Sequence, residues 1–209
     1  MPKDGTGNPN TRHQPPYPPK KRGSRTTGLS PQGCGMTRPA LAWRPAEAAD
    51  LPSVAALLAA AGAELARQGF QNWIEPYPVP RLLADLAERQ VVGGWQDGAL
   101  LACFLLGRTP VVPYEDLHWP AGPAPAAYLN RMAVAPPHQG RGLGAACLTE
   151  VHHRAAALGA RVVRCDALAA NARLGRFYAR HGYRHAGRRV HSGWEFDCLE
   201  RLLGEDHAW

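Results

Sequence analysis

Residues 134–144 read Val-Ala-Pro-Pro-His-Gln-Gly-Arg-Gly-Leu-Gly, and this run constrains the fold more than any other part of the chain. An apolar strand runs into a Pro-Pro break, and a glycine-rich turn then opens into a helix. The first amides of a helix have no intrahelical acceptor, and the helix dipole adds partial positive charge there. Glycines let an anion approach the bare backbone. A strand feeding such a turn points to a nucleotide-like ligand. The glycines fall at 140, 142 and 144, with no Lys-Ser/Thr behind them. That spacing is neither the dinucleotide fingerprint Gly-x-Gly-x-x-Gly nor the P-loop.

Around this turn the periodicity alternates between short strands and amphipathic helices. Leu41 to Arg44 reads as a strand. Asp50 caps a helix over Leu51 to Arg67, with Pro52 in its first turn and Val54, Leu57, Leu58, Ala61 and Leu65 on one face. A second helix covers Pro80 to Glu88. Strands over Val91 to Trp95 and Leu100 to Arg108 flank the turn signal Gln96-Asp97-Gly98. Residues 110–125 form a loop rich in Pro and Gly. Ala127 to Val134 is the strand entering the glycine turn, and Gly142 to Leu158 is the helix leaving it, stopped by Gly159. A strand over Val162 to Asp166, a helix over Ala172 to His181, and strands over Tyr183 to Arg188 and Trp194 to Leu199 complete the α/β chain.

The net charge of +7 lies almost wholly in residues 1–39, where Lys3, Arg12, Lys20, Lys21, Arg22, Arg25 and Arg38 face only Asp4. This segment is Pro/Gly-rich and nearly devoid of apolar side chains, so it reads as a disordered basic tail. Such an arm suits an acidic partner, nucleic acid included. The competing reading is an extension without function, with Met36 as an alternative start. The near-neutral remainder makes nucleic acid an unfavoured partner. A domain over residues 40–203 and a short tail at 204–209 follow. The apolar stretches, such as Val54 to Ala61, are too short and Ala-rich to span a bilayer. Cys34, Cys103, Cys147, Cys165 and Cys198 are scattered without Cys-x-x-Cys spacing, so neither a zinc site nor a disulfide framework is expected, and a cytoplasmic home is simplest. His152 and His153 point about 100° apart on a helix and cannot form one i,i+4 metal pair.

Several motifs stand in a telling order. Trp43-Arg44-Pro45-Ala46-Glu47 and Asp50-Leu51-Pro52 come first, then Met132-Ala133-Val134-Ala135-Pro136, then Gln139, Gly142 and Gly144 in the pattern Gln/Arg-x-x-Gly-x-Gly/Ala. Asn171, Phe177-Tyr178 and Gly182-Tyr183 follow. From about Leu41 to Leu203 the chain resembles the GNAT superfamily of N-acetyltransferases. Residues 68–78, with Trp73 and Tyr77, are similar to a Gln-Trp…Tyr-Pro pattern in small bacterial members of unassigned substrate.

The resemblance implies a GNAT fold of mixed α/β (α+β) type: a central, mostly antiparallel twisted sheet with a splayed parallel strand pair, and helices on both faces. It implies acetyl-CoA as cosubstrate, no metal, and direct acetyl transfer to a primary amine of a small molecule or of a protein N-terminus or lysine. The backbone of Met132, Ala133 and Val134 would hold the pantetheine arm. Gln139, Gly140, Arg141, Gly142, Leu143, Gly144 and Ala145 would form the pyrophosphate turn, with the Arg141 guanidinium suited to phosphate. Asn171 would cap its helix and bind the cofactor arm. Tyr178 would supply the proton to the leaving thiolate. The family commonly forms homodimers, though nothing in this chain specifies one.

Two roles are left open by the residues. Many relatives carry a Glu on the strand before the turn, whereas Tyr128-Leu129-Asn130-Arg131 has no acid. The base candidates are Glu75, Glu115, Asp116, His118 and a water held by Asn130. Trp73 and Tyr77 either line an acceptor pocket or cover the first helix pair. A thiol nucleophile at Cys147 or Cys165 is not expected. A non-catalytic acyl-CoA sensor that kept the groove and lost the base is the alternative reading.

Overall fold

The computed structural model describes residues 41–204 except 74, 76, 112, 115 and 116. The basic tail at 1–39, Met36, Cys34, the base candidates Glu115 and Asp116, and residues 205–209 lie outside the described residues. Strands β1 (Ala42–Pro45), β2 (Gln90–Gln96), β3 (Ala99–Gly107), β4 (Ala126–Val134), β5 (Val162–Leu168), β6 (Arg184–His191) and β7 (Trp194–Leu202) form one sheet in the order β1-β2-β3-β4-β5-β7-β6. Every neighbouring pair is antiparallel except β4 with β5. Helices α1 (Leu51–Arg67), α2 (Val79–Glu88), α3 (Leu143–Ala157) and α4 (Ala172–Arg180) cover the two faces.

The alternation of side chains along β3 divides the core. Phe104 and Leu106 pack with Cys147, Leu148 and Val151 of α3, while Cys103 and Leu105 pack with Val54, Leu58 and Ala61 of α1 and Leu82 of α2. Such a strand, buried on both faces, reads as a continuous apolar run. Phe104, Leu105 and Leu106 are fully enclosed, each contributing about 1.5–3 kcal/mol of hydrophobic free energy. By length and composition alone the segment Ala48–Arg67 is apolar enough to cross a bilayer. Here Leu51, Val54, Leu57, Leu58 and Ala61 of that segment are buried in the protein's own core.

The expected helix over 51–67 forms with those bounds, but Asp50 does not cap it. Its carboxylate instead accepts from Arg44 Nη1 at 2.6 Å, Arg44 Nη2 at 2.9 Å and the Glu47 amide at 2.9 Å. This closes the single 3-10 turn Ala48–Asp50 ahead of α1. A bidentate, charge-assisted pair outcompetes a neutral cap, and it holds the Asp50 carboxyl down at about 2. A second 3-10 turn, Pro136–His138, occupies the Pro-Pro break.

Two polar clusters lock the sheet's far half. On neighbouring strands Arg164 and Glu200 are cross-strand partners. Both are buried, with Nε 3.3 Å from Oε2. Each also grips the loop 110–125: Arg164 Nη2 donates to the Gly122 carbonyl at 2.7 Å, and the Ala121 amide donates to Glu200 Oε1 at 2.7 Å. Behind α3, Arg201 Nη1 lies 3.1 Å from His152 Nδ1, and His152 Nε2 lies 3.1 Å from the Tyr183 hydroxyl. Because arginine can only donate, Nδ1 accepts and the ring proton sits on Nε2. Burial, reinforced by Arg201 and His181, pushes the His152 imidazole down to about 4.

Glu200→Ala, which strands the buried Arg164, is expected to cost about 3–5 kcal/mol in chemical denaturation. Because His152 stays neutral in the native state while the unfolded chain takes up a proton near pH 6.5, unfolding free energy should fall as pH drops from about 6.5 to about 4. His152→Gln should flatten that slope, measured by denaturation at stepped pH.

Candidate active site

The β4–β5 pair is held for only three positions, Ala126↔Val162, Ala127↔Val163 and Tyr128↔Arg164, after which the two strands are no longer partners. The cause lies on the other side of β4. Its register with β3 slips between Cys103 and Leu105, so that Leu105 faces Asn130 but Cys103 faces Ala133. The extra residue is a bulge, with Arg131 at φ +49°. A bulge bends its strand and sharpens the local twist, and β4 turns away from β5. It also flips the side-chain parity. Leu129 packs in the α3 layer before the bulge; Met132 and Val134 join that layer after it, and Ala133 faces α1.

Beyond the bulge the backbone of β4 alternates between β3 and the gap. The Ala135 amide donates to the Leu101 carbonyl at 2.8 Å, so the peptide on which it sits turns the Val134 carbonyl away from β3. By the same alternation, Met132 and Val134 direct their amides and carbonyls into the gap, while Ala133 bonds toward Cys103. Of the three backbones expected to face a ligand, two are therefore available. Gln139 does not reach outward: its Nε2 donates to the Val134 carbonyl at 3.1 Å and ties the turn to the strand end.

The glycine turn matches its anticipated shape. Gly140 and Gly142 take φ of +74° and +85°, a region costly for other residues, and Gly142 is the N-cap of α3. A side chain added at Gly140 would meet nothing within 4 Å, so the approach to the turn is open. Leu143 is buried and anchors the helix start, which leaves the amides of Leu143, Gly144 and Ala145 without intrahelical acceptors at the exposed end. Arg141 is exposed beside them. Gly144 serves packing: a Cβ there would stand 3.2 Å from the Phe177 ring of α4.

On the α3/α4 side of the sheet stand Asn171 and Tyr178. Asn171 is the N-cap of α4, accepting from the Leu174 amide at 3.0 Å through Oδ1. Its side-chain NH2 is not used in that bond. Tyr178 is buried among Phe177, Tyr183 and the β5 thiol of Cys165, which lies within hydrogen-bonding reach of its hydroxyl. Burial first, then Cys165 and Tyr183, pushes the Tyr178 phenol well above its ordinary value, so it holds its proton at neutral pH. The four described cysteines are free and buried. Burial drives the Cys147 thiol up to about 12 and that of Cys165 well above its usual range, the opposite of an activated nucleophile.

From the α1/α2 face comes a set of charges that local sequence patterns did not reveal. Asp166 sits two residues beyond the last β4-paired position of β5. Its Oδ2 accepts from Arg189 Nη2 at 2.7 Å and from the Tyr114 hydroxyl at 3.1 Å. Tyr114 stacks on Tyr128 of β4 at 6.0 Å and meets Trp119 edge-on, so Tyr114 and Trp119 form one wall. Opposite, the Arg131 guanidinium lies 4.4 Å from the Tyr77 ring and 5.1 Å from the Trp73 ring. Tyr77 is fixed by donating to Asp85 at 2.6 Å. Trp73 is fixed by Gly62, whose missing side chain lets the Trp73 carbonyl rest on α1. Asn130 is half-buried on β4 beside the bulge, whereas His118 and Glu75 are exposed. Among the described residues the carboxylate at the gap is thus Asp166. It was missed because nothing within β5 marks it; Tyr114 and Arg189 reach it from 52 and 23 residues away.

The arrangement is a slot between two strands, with open amides at one end, a protonated phenol on one face, and a fixed anion and cation on the other. Known proteins share this architecture. An acetyltransferase of the GNAT family from Streptococcus agalactiae superposes with a TM-score of 0.66 at 19% identity, over 78% of this chain and 95% of that one. An acetyltransferase from Salmonella typhimurium, crystallised with its cofactor acetyl-CoA, does so at 0.58 and 19%, over 81% and 97%. The ribosomal-protein-S18-alanine N-acetyltransferase from Escherichia coli gives 0.59 and 17%, over 81% and 99%. No curated protein sequence matches significantly. The acetyltransferase (GNAT) family, however, matches residues 59–183, more than half of the chain and the whole run from the middle of α1 to the start of β6, and the protein accordingly belongs to the GNAT acetyltransferase family.

Proposed function

We propose that the protein transfers an acetyl group from acetyl-CoA directly to a primary amine bound on the α1/α2 side of the β4–β5 gap. The observation that carries this reading is the early end of β4–β5 pairing, which turns the Met132 and Val134 backbone toward the gap between the two strands. The pantetheine arm pairs there as an added strand. The open turn at Gly140 and the amides of Leu143, Gly144 and Ala145 fit the pyrophosphate, with Arg141 beside them. The Asn171 side-chain NH2 adds a donor toward the arm. The neighbour crystallised with acetyl-CoA supports the choice of cosubstrate.

The amine nitrogen attacks the thioester carbonyl, the carbon–sulfur bond breaks, the nitrogen proton passes to water held at Asp166, and Tyr178 protonates the departing sulfur. Tyr178 suits this step because burial keeps its proton in place until the thiolate forms. Asp166, charge-paired with Arg189, suits holding an ammonium ahead of its deprotonation. An acyl-enzyme on cysteine is disfavoured by the raised thiols. Thiols that stay free also suit a reducing compartment such as the cytoplasm.

The test is calorimetric titration of acetyl-CoA followed by thiol-release assays over a panel of primary amines. Binding that is lost in Gly142→Trp, together with amine-dependent thiol release, supports the reading. Binding without release from any amine makes the chain an acyl-CoA sensor. Tyr178→Phe should lower kcat by about 10²-fold while acetyl-CoA affinity holds; an unchanged kcat removes the tyrosine from the chemistry.

A further inference from the structure

Among the described residues, Arg131 has no carboxylate partner. Elsewhere in the described residues the shielded guanidinium groups have oxygen partners: Arg89 has Asp85 and Glu88, Arg154 has Glu150, Arg164 has Glu200 and Arg189 has Asp166. Arg201 donates to the His181 carbonyl. Arg131 is also half-buried, yet its contacts among the described residues are the faces of two rings, Trp73 and Tyr77. Ring stacking uses the flat faces of a guanidinium and leaves its N–H edges free to bind in the plane. The acids whose fields it feels are both committed elsewhere, Asp166 to Arg189 and Tyr114, and Asp85 to Tyr77 and Arg89.

The placement carries a backbone cost as well. Arg131 sits at φ +49° inside a strand, whereas the other non-glycine residues with positive φ, Asp97 and Ser192, occupy the links between β2 and β3 and between β6 and β7. A left-handed conformation is unfavourable for a non-glycine residue. The bulge turns this guanidinium toward the Trp73 and Tyr77 rings on the side where Asp166 faces the gap. A charge removed from water with its hydrogen-bonding edges unmatched is costly until an anion fills them. Burial accordingly pulls the Arg131 guanidinium below its ordinary value.

Building on the acetyl-transfer reading, we propose that Arg131, clamped between Trp73 and Tyr77 at the β4 bulge, binds the carboxylate of the acceptor, and that the acceptor is a small amino-carboxylate whose ammonium group lies toward Asp166. A carboxylate takes two in-plane N–H groups of a guanidinium at once, which fixes orientation as well as charge. An anion at one wall and a cation at the other select a molecule carrying both charges. A simple alkylamine satisfies only one wall.

The test uses the full chain with acetyl-CoA and matched acceptor trios: L-leucine, L-leucinamide and 3-methylbutylamine, with the equivalent sets built on alanine and glutamate. Thiol release should favour at least one carboxylate over its amide by roughly 10²-fold in kcat/KM, carried mainly by KM, the scale expected for losing a charge-assisted bidentate pair. Arg131→Met, which keeps the aliphatic stem, should erase that preference, read as the ratio of carboxylate to amide kcat/KM within the same variant; Arg131→Lys should restore part of it. Binding of the same carboxylates to the CoA-loaded protein, read by calorimetry, separates this inference from the transfer reading beneath it. Arg131-dependent carboxylate binding without thiol release upholds the anion site and sinks only the transfer. Amides used or bound as well as carboxylates, or a preference unaltered in a folded Arg131→Met, overturn the inference.

Discussion

The extra residue in β4 is the constraint on which the rest of this structure depends. A parallel pair that began as Ala126–Tyr128 against Val162–Arg164 had every backbone reason to continue, because a broken ladder leaves amides and carbonyls unmatched. One residue inserted opposite Phe104 bends β4 away and exchanges which side chains face which helix layer. The outcome is a hydrogen-bonding edge at Met132 and the Val134 amide in the middle of a sheet rather than at its rim, while the Val134 carbonyl accepts from Gln139. A protein exposing such an edge invites aggregation unless a ligand fills it. The same bulge holds Arg131 in its left-handed conformation.

Rigidity on both sides keeps the slot from closing. On the β5 side, the Arg164–Glu200 pair joins two strands and pins the loop 110–125 through Gly122 and Ala121. Buried ion pairs add little net stability over apolar replacements. Their geometry is specific, though, and here it sets where Tyr114 and Trp119 stand. On the β4 side, Gln139 clasps the Val134 carbonyl, so the glycine turn and the strand end move as one body. Phe177 against Gly144 locks α4, and with it Tyr178, to the helix that presents the open amides. α3, α4 and the end of β4 therefore share a common frame.

Legibility followed sequence distance. The strand–turn–helix around 134–144, the hairpin at Asp97-Gly98, the bounds of α1 and the capping Asn171 were all readable, because each depends on hydrogen bonds between residues a few positions apart. Asp50 shows where such reading fails even locally: the residue type suits a helix cap, but Arg44 six positions earlier offered a stronger, charged partner. The general base was sought at Glu75, Glu115, Asp116, His118 and a water held by Asn130. Asp166 gained its position at the slot from strand divergence, and its partners from a loop and from an edge strand remote in sequence.

The sequence by itself determined the order of elements, the apolar faces of the helices and the glycine turn that opens a helix, since spacing alone decides which backbone groups are left orphaned at a helix start and which side chains share a face. Only the tertiary structure decided the bulge at Arg131, the point at which β4 and β5 part, the withdrawal of the Ala133 backbone into the ladder with β3, and the meeting of Arg131, Trp73, Tyr77 and Asp166 on one face. Those depend on how β4 registers against β3 and β5, and register is settled by packing summed over both helix layers, which no local periodicity encodes.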